Sequence, residues 1–197
     1  ISGFVTAILQ TKMGIDSLLS GIVVNTGLYS INIAVMGGAS LLNLNKTETI
    51  FTKLKAFLGD NTFISNNYRL FIASFAVLIV ASFLVFFLKT RVGLAIRATG
   101  NNPDMVRASS INPVIITIIG LCISNAFTAL SGCLLAQSQK SVNIDIGSGM
   151  VTIALASLLI GRVFSGKGKI VSRVIGAVFG SFIFRLVYTV ALRFDLP

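Results

Sequence analysis

The sequence predicts an all-α protein, a polytopic transmembrane helical bundle that carries short helices on its cytoplasmic side. Three observations lead to that fold class. The chain is 54% hydrophobic with 11% charged residues and a mean hydropathy of +0.91, whereas soluble domains carry about 25% charged residues. Several apolar runs approach the roughly 20 residues that a helix needs to cross a hydrocarbon core of about 30 Å. The Lys and Arg residues behind the net charge of +10 flank these runs instead of forming a stripe, so they read as topology signals and no nucleic-acid partner is expected.

Each element follows from its own stretch of chain. Residues 1 to 11 have the composition of the tail of a helix, and the opening Ile1-Ser2-Gly3 has neither Met nor a charged segment before an apolar core, unlike a signal peptide. Residues 17 to 36, "SLLSGIVVNTGLYSINIAVM", form the first span and are unusually polar for one. The connection 37 to 69 is the longest. Within it, Ile50, Phe51, Leu54, Phe57 and Leu58 fall at helical spacing with Lys53 and Lys55 opposite, which predicts a short helix over Thr49 to Leu58 lying on the membrane surface.

Residues 70 to 88, "LFIASFAVLIVASFLVFFL", form the second span, apolar apart from two serines. Next comes "GLAIRATGNNPDMVRASSIN", residues 93 to 112, in which Gly93–Ala98 and Pro103–Ser110 are compatible with two short helices joined by "TGNN". Asn102, Pro103 and Asp104 supply an N-cap, a first-turn proline and an acid suited to the helix dipole. Asn112-Pro113 opens the third span, 113 to 136, in the same way. Residues 147 to 164 start Gly147-Ser148-Gly149 and suit a short or partly re-entrant helix as well as a full span. Residues 170 to 192 form the last span.

Counting basic residues near the span ends orients the chain. Lys89, Arg91, Arg97 and Arg107 in one connection, and Arg162, Lys167, Lys169 and Arg173 in another, place both on the cytoplasmic side. The opposite side receives a long loop with Lys46, Lys53, Lys55 and Arg69, and a short one with Lys140.

Several kinds of chemistry are removed. There is no histidine, so His-based catalysis and His-ligated metal sites are excluded, and no metal or cofactor is expected. The acids Asp16, Glu48, Asp60, Asp104, Asp145 and Asp195 all fall in loops or at span ends. That leaves no carboxylate pair for an intramembrane hydrolase and no buried acid for a proton-coupled transporter. Gly161–Gly168 approaches a phosphate-binding loop, but Gly168 stands where a Ser or Thr would meet magnesium, and the stretch follows a helix where a strand is needed. Cys122 and Cys133 share one apolar run and lie roughly 16 Å apart along a helix, too far to bridge, so they read as packing residues. The chain is therefore not expected to be an enzyme, and any uphill transport must draw energy from outside it.

Polar residues inside the spans are candidates for a translocation path. Asn25, Tyr29 and Asn32 recur at i, i+4 and i+7 in the first span, and Ser124, Thr128 and Ser131 do so in the third, so each set forms one stripe. An unpaired amide in hydrocarbon costs several kcal/mol, so these stripes should face protein or water. Hydrogen bonding between helices is the alternative. Arg185 lies among apolar neighbours and reads either as a contact for a solute carboxylate or as a side chain that snorkels or pairs with a helix end.

The motif at 93 to 112 also resembles the cytoplasmic segment of permease subunits from bacterial ABC importers of the branched-chain amino acid, ribose and nucleoside type. "NAFTALSGCLLAQSQ" and "GSGMVTIALASLLIGRVFSGKG" are similar to further segments of that family. "LLSGIVVNTGLYSINIAVMGGASLLNL" is similar to the narrower set of permeases that accompany tryptophan/tyrosine-type substrate-binding lipoproteins. Arg162 departs from the wider family, which often has a second glycine there.

The resemblance covers essentially the whole chain. It implies a multi-pass subunit of the bacterial cytoplasmic membrane, with residues 1–197 a single transmembrane permease domain and a fragment lacking further helices at one or both ends. It implies two cytoplasmic ATP-binding subunits, a second permease copy or paralogue, an external substrate-binding protein and surrounding membrane lipid as partners, and an amino acid or related compound as solute. A nucleoside or sugar, or a non-transport membrane scaffold, is the alternative. On this reading residues 93 to 112 are the coupling helices. Gly93 would free the exit from the preceding span, Asn102 and Pro103 would shape the second helix, Leu94, Ile96, Met105 and Val106 would anchor in an ATPase groove, and Arg97 and Arg107 would pair at its rim.

Overall fold

A computed structural model of the chain describes residues 1–44, 48–53, 68–165 and 170–193. Eight helices can be followed in them: α1 Ser2–Thr11, α2 Ser17–Val35, α3 Tyr68–Lys89, α4 Arg91–Asn101, α5 Pro103–Ala108, α6 Pro113–Gln139, α7 Ile146–Ser165 and α8 Ile170–Arg193. Two short strands, β1 Leu41–Asn43 and β2 Ser141–Asn143, and a helical turn at residues 50–53 accompany them. Helices α2, α3, α6 and α8 are long and apolar enough to cross a membrane. Helix α7 runs unbroken for 20 residues, about 30 Å, so the described backbone has no re-entrant break at 147 to 164.

The chain divides into two compact bodies, residues 1–76 with 89–144 and residues 77–88 with 145–197, and α3 contributes to both. No residue of α3 is buried. Within it Phe83 stacks parallel on Phe87, one helical turn away with ring centroids separated by 6.5 Å.

In the first body, α1 lies against both α6 and α2. The α1–α6 crossing is close because Gly3 has no side chain: a Cβ there would stand 2.6 Å from the Leu121 carbonyl oxygen. Ala7, one turn further, is fully buried, and Ser2 Oγ donates to Asn125 Oδ1 at 3.2 Å across the same contact. Small residues thus let two backbones approach, and a polar pair links them. Asp16 caps α2 by accepting the Leu18 N–H at 2.8 Å, after a turn in which Gly14 adopts φ +66°.

An antiparallel ladder joins β1 to β2, pairing Leu41 with Asn143, Leu42 with Val142 and Asn43 with Ser141. The Leu44 N–H to the Lys140 carbonyl (2.9 Å) and the Ile144 N–H to the Ser40 carbonyl (3.2 Å) extend it. Lys140 takes a left-handed conformation, φ 54°, which turns the chain out of α6 into β2. The connection after α2 is held to α6 at a second point, where Ile50 N–H donates to Gln137 Oε1 at 3.1 Å. Residues 50–53 form one helical turn; residues 54–58 of the expected surface helix lie outside the described residues. Phe51, expected on the membrane surface, is buried.

In the second body, α7 and α8 form an antiparallel pair whose seam is made of small residues. Ser157, Gly161 and Ser165 on α7 oppose Gly180, Gly176 and Ser172 on α8. A Cβ on Gly161 would strike the Gly176 carbonyl, and one on Gly180 would strike the Ser157 carbonyl. Ser165 Oγ donates to Ser172 Oγ at 3.3 Å, and Ser157 Oγ satisfies itself on the Ile153 carbonyl at 2.7 Å. Both helices therefore repeat a small residue every fourth position, which is the pattern that permits close membrane packing.

Candidate functional site

The segment from residue 90 to 112 is built by successive caps. Thr90 separates α3 from α4, and its Oγ1 accepts the Gly93 N–H at 3.3 Å. Helix α4 then continues to Asn101, which corrects the expected four-residue joint "TGNN": Thr99, Gly100 and Asn101 are helical, and Asn102 alone breaks the run. The reason lies in Pro103, whose ring excludes the α region for the residue before it. Asn102 is accordingly extended at φ −155° and ψ 101°. Its Oδ1 accepts the N–H groups of Asp104 (3.0 Å) and Met105 (3.2 Å), starting α5. Asn112 caps α6 in the same way, through the Val114 N–H at 3.0 Å.

These helices have distinct inner and outer faces. Gly93 and Ala95 are buried on α4, and Ile96 packs toward α6, with its Cγ2 3.6 Å from where a Cβ on Gly120 would lie. Val106 is 3% exposed, whereas Leu94 and Met105 are 60% and 66% exposed. The four residues expected to anchor in an ATPase groove, Leu94, Ile96, Met105 and Val106, therefore differ in exposure within this chain. Ile96 faces its own chain and Val106 is buried, whereas of these four Leu94 and Met105 present apolar surface outward. Helical periodicity alone could not separate the two pairs, because nothing in the segment's sequence identifies the face that α6 covers.

The two arginines also differ from each other. Arg97 is half-buried and its Nε donates to the Gly93 carbonyl at 3.4 Å. Arg107 Nη1 lies 3.3 Å from Asp104 Oδ1, both side chains well exposed. An exposed pair of this kind contributes roughly 0–1 kcal/mol, so it leaves Arg107 free to exchange partners.

On α2, Asn25, Tyr29 and Asn32 are exposed, as are Ser124, Thr128 and Ser131 on α6. Each stripe is therefore open along its helix. Among the described residues no hydrogen bond joins the stripes, and Thr128 Oγ1 turns back to the Ser124 carbonyl at 3.1 Å. Arg185 on α8 is exposed, and its carbonyl accepts Thr189 Oγ1 at 2.8 Å. Three polar features escaped the sequence reading: Asn125 at the α1–α6 crossing, Gln137 beneath Ile50, and the serines of the α7–α8 seam. The last had a visible signal, the four-residue spacing of Ser157, Gly161 and Ser165 and of Ser172, Gly176 and Gly180.

Residues 1–194 match the family described as branched-chain amino acid transport system / permease component. Among curated proteins, the tyrosine transport system permease protein of Clostridioides difficile (strain R20291) is 34% identical over 195 residues, covering 99% of this chain and 62% of that protein. The galactose/methyl galactoside import permease protein MglC of Escherichia coli (strain K12) is 29% identical over 189 residues, 95% of this chain and 53% of its own length. An uncharacterized protein, RP368 of Rickettsia prowazekii (strain Madrid E), is 30% identical over 162 residues, 82% of this chain and 54% of its own. The chain thus spans between about half and three-fifths of these relatives. No solved structure matches it.

Proposed function

This chain belongs to the family of branched-chain amino acid transport system permease components, and from that premise we propose that it lines part of the membrane pathway of an ATP-driven importer for an amino acid or related small solute. It is a transport component of an ABC-type system and a multi-pass membrane protein, consistent with the four helices of spanning length among the described residues. Cytoplasmic ATP-binding subunits would drive the cycle, an external binding protein would deliver the solute, and a second permease copy or paralogue would complete the pathway.

The observation that supports this reading is the doubly capped α4–α5 pair with Leu94 and Met105 exposed on it. Work crosses between proteins only through an interface that stays docked while both sides change state, and a capped helix does this better than a loop. The inner residues Ile96 and Val106 would carry the motion into α6. In the proposed cycle, Arg97 and Arg107 steer the ATPase, while Asn25, Tyr29 and Asn32, Ser124, Thr128 and Ser131, and Arg185 contact water or solute.

The amino-acid reading draws on the similarity to a tyrosine transport permease, and the similarity to a sugar permease keeps a sugar as the second reading. Binding measurements on the proposed external binding protein distinguish them: saturable binding of an aromatic or branched amino acid supports the first, and binding of a hexose alone overturns it. Co-purification of the ATPase tests the coupling segment itself. A permease in which Leu94 and Met105 are both replaced by Asp should insert normally and lose its ATPase. Wild-type co-purification by that variant would refute the coupling role.

A further inference from the structure

We propose that Arg162 and Arg173 together hold the phosphate headgroup of an anionic phospholipid in the cytoplasmic leaflet. The α7–α8 seam fixes where the two side chains lie. Gly161 faces Gly176; Arg162 is one residue beyond Gly161, and Arg173 is three residues before Gly176, so they turn away from the seam by about 100° and 60°. In an antiparallel pair, rotations of the same sign lead to the same flank. Along the axis the two positions differ by two residues, about 3 Å, and the small seam brings the backbones close. Both guanidinium groups can therefore meet on one phosphate, for which the planar fork of arginine is suited.

The opposite flank is different in kind. It holds an apolar groove of about 530 Å³ that includes Phe164, Ile175, Phe179 and Phe182. A positive-inside bias would distribute charge around the end of a hairpin without regard to side; here both described cations fall on one flank. They also lack an internal counter-ion among the described residues. No acid occurs between Ile146 and Phe194, and among the described residues neither arginine has a hydrogen bond or an ion pair. Both are exposed.

A lipid is the source of phosphate because of depth. Arg162 stands among the exposed apolar side chains of Leu158, Leu159 and Val163, at the level where a span meets its interface. A phosphate placed there belongs to a molecule with acyl chains, and basic clusters at the cytoplasmic ends of helices attract anionic headgroups.

The full-length permease, without ATPase or solute, is reconstituted into nanodiscs of phosphatidylcholine with and without phosphatidylglycerol, and its melting temperature is measured. Phosphatidylglycerol should raise it by about 3 °C in the wild type and not in R162Q/R173Q, while R193Q, which removes a charge from the other end of α8, should keep the rise. Soluble glycerol phosphate added to phosphatidylcholine discs should have no effect. An undiminished rise in R162Q/R173Q, no rise in the wild type, or full reproduction of it by glycerol phosphate would overturn the proposal. Native mass spectrometry of the wild type supplies a readout independent of any variant: retention of phosphatidylglycerol over phosphatidylcholine supports the site, and equal retention refutes it. Because neither ATPase nor solute is present, failure here is separate from failure of the transport reading.

Discussion

Gly161 and Gly176 face each other across the α7–α8 pair so closely that neither position has room for a side chain. A Cβ on Gly176 would lie 2.7 Å from the Gly161 carbonyl oxygen and 2.8 Å from Ser165 Cβ, and a Cβ on Gly161 would strike the Gly176 backbone. Backbone cannot move aside as a flexible side chain does, so the helices must part. We expect Gly161→Ala or Gly176→Ala to cost about 1–3 kcal/mol and to lower the melting temperature in detergent. Gly132→Ala, at a helical glycine with open space around it, should be neutral or slightly stabilising. Equal melting temperatures for all three variants would contradict the close seam.

The inner and outer faces of the proposed coupling segment predict two separable phenotypes. Leu94→Asp and Met105→Asp alter exposed positions and should leave the stability within about 0.5 kcal/mol of wild type. Each should nonetheless weaken ATPase association by about 2 kcal/mol, the scale of an interface hot spot. Val106→Asp places a charge in a buried position and should destabilise the permease itself. Thermal scans paired with pull-downs separate these outcomes, and an ATPase defect confined to Val106→Asp would reverse the assignment.

Asn102 performs two tasks with one side chain, since its Oδ1 accepts two N–H groups while its extended backbone ends α4. Asn102→Ala should cost about 0.5–2 kcal/mol through the lost cap, and Asn102→Asp should retain most of it. If α4–α5 rigidity carries the coupling, Asn102→Ala should also lower solute-stimulated ATP hydrolysis more than basal hydrolysis. Parallel loss of both rates would indicate a stability defect alone.

For the translocation path, cysteine substitution at Asn25 or Asn32 should give thiols that react with membrane-impermeant polar reagents in at least one nucleotide state. Val23, exposed on the same helix but about 160° around the axis from Asn25, should remain unreactive. Reaction at position 23 with protection at 25 and 32 in every state would place lipid where the path is expected.

Much of the architecture was legible because membrane insertion imposes strong composition and length requirements on single segments. The apolar runs at 17–36, 70–88, 113–136 and 170–192 correspond to α2, α3, α6 and α8, and Asn102-Pro103 and Asn112-Pro113 start helices where their local chemistry places them. The β1–β2 ladder was not legible. Three-residue strands have no periodicity to read, and Leu41–Asn43 becomes a strand because Ser141–Asn143 pairs with it from about 100 residues away.

The candidate site divides along the same line. By itself the sequence determined that residues 93 to 112 carry capped helices with apolar and basic residues, since caps, proline geometry and composition act within a few residues. Which apolar side chains point inward was decided by tertiary structure alone: Ile96 turns toward Gly120 because α6 packs there, and Leu94 is left outside. The same holds for the glycines of α7 and α8. Their spacing is written in the sequence, but only the approach of two backbones turns an absent side chain into a contact.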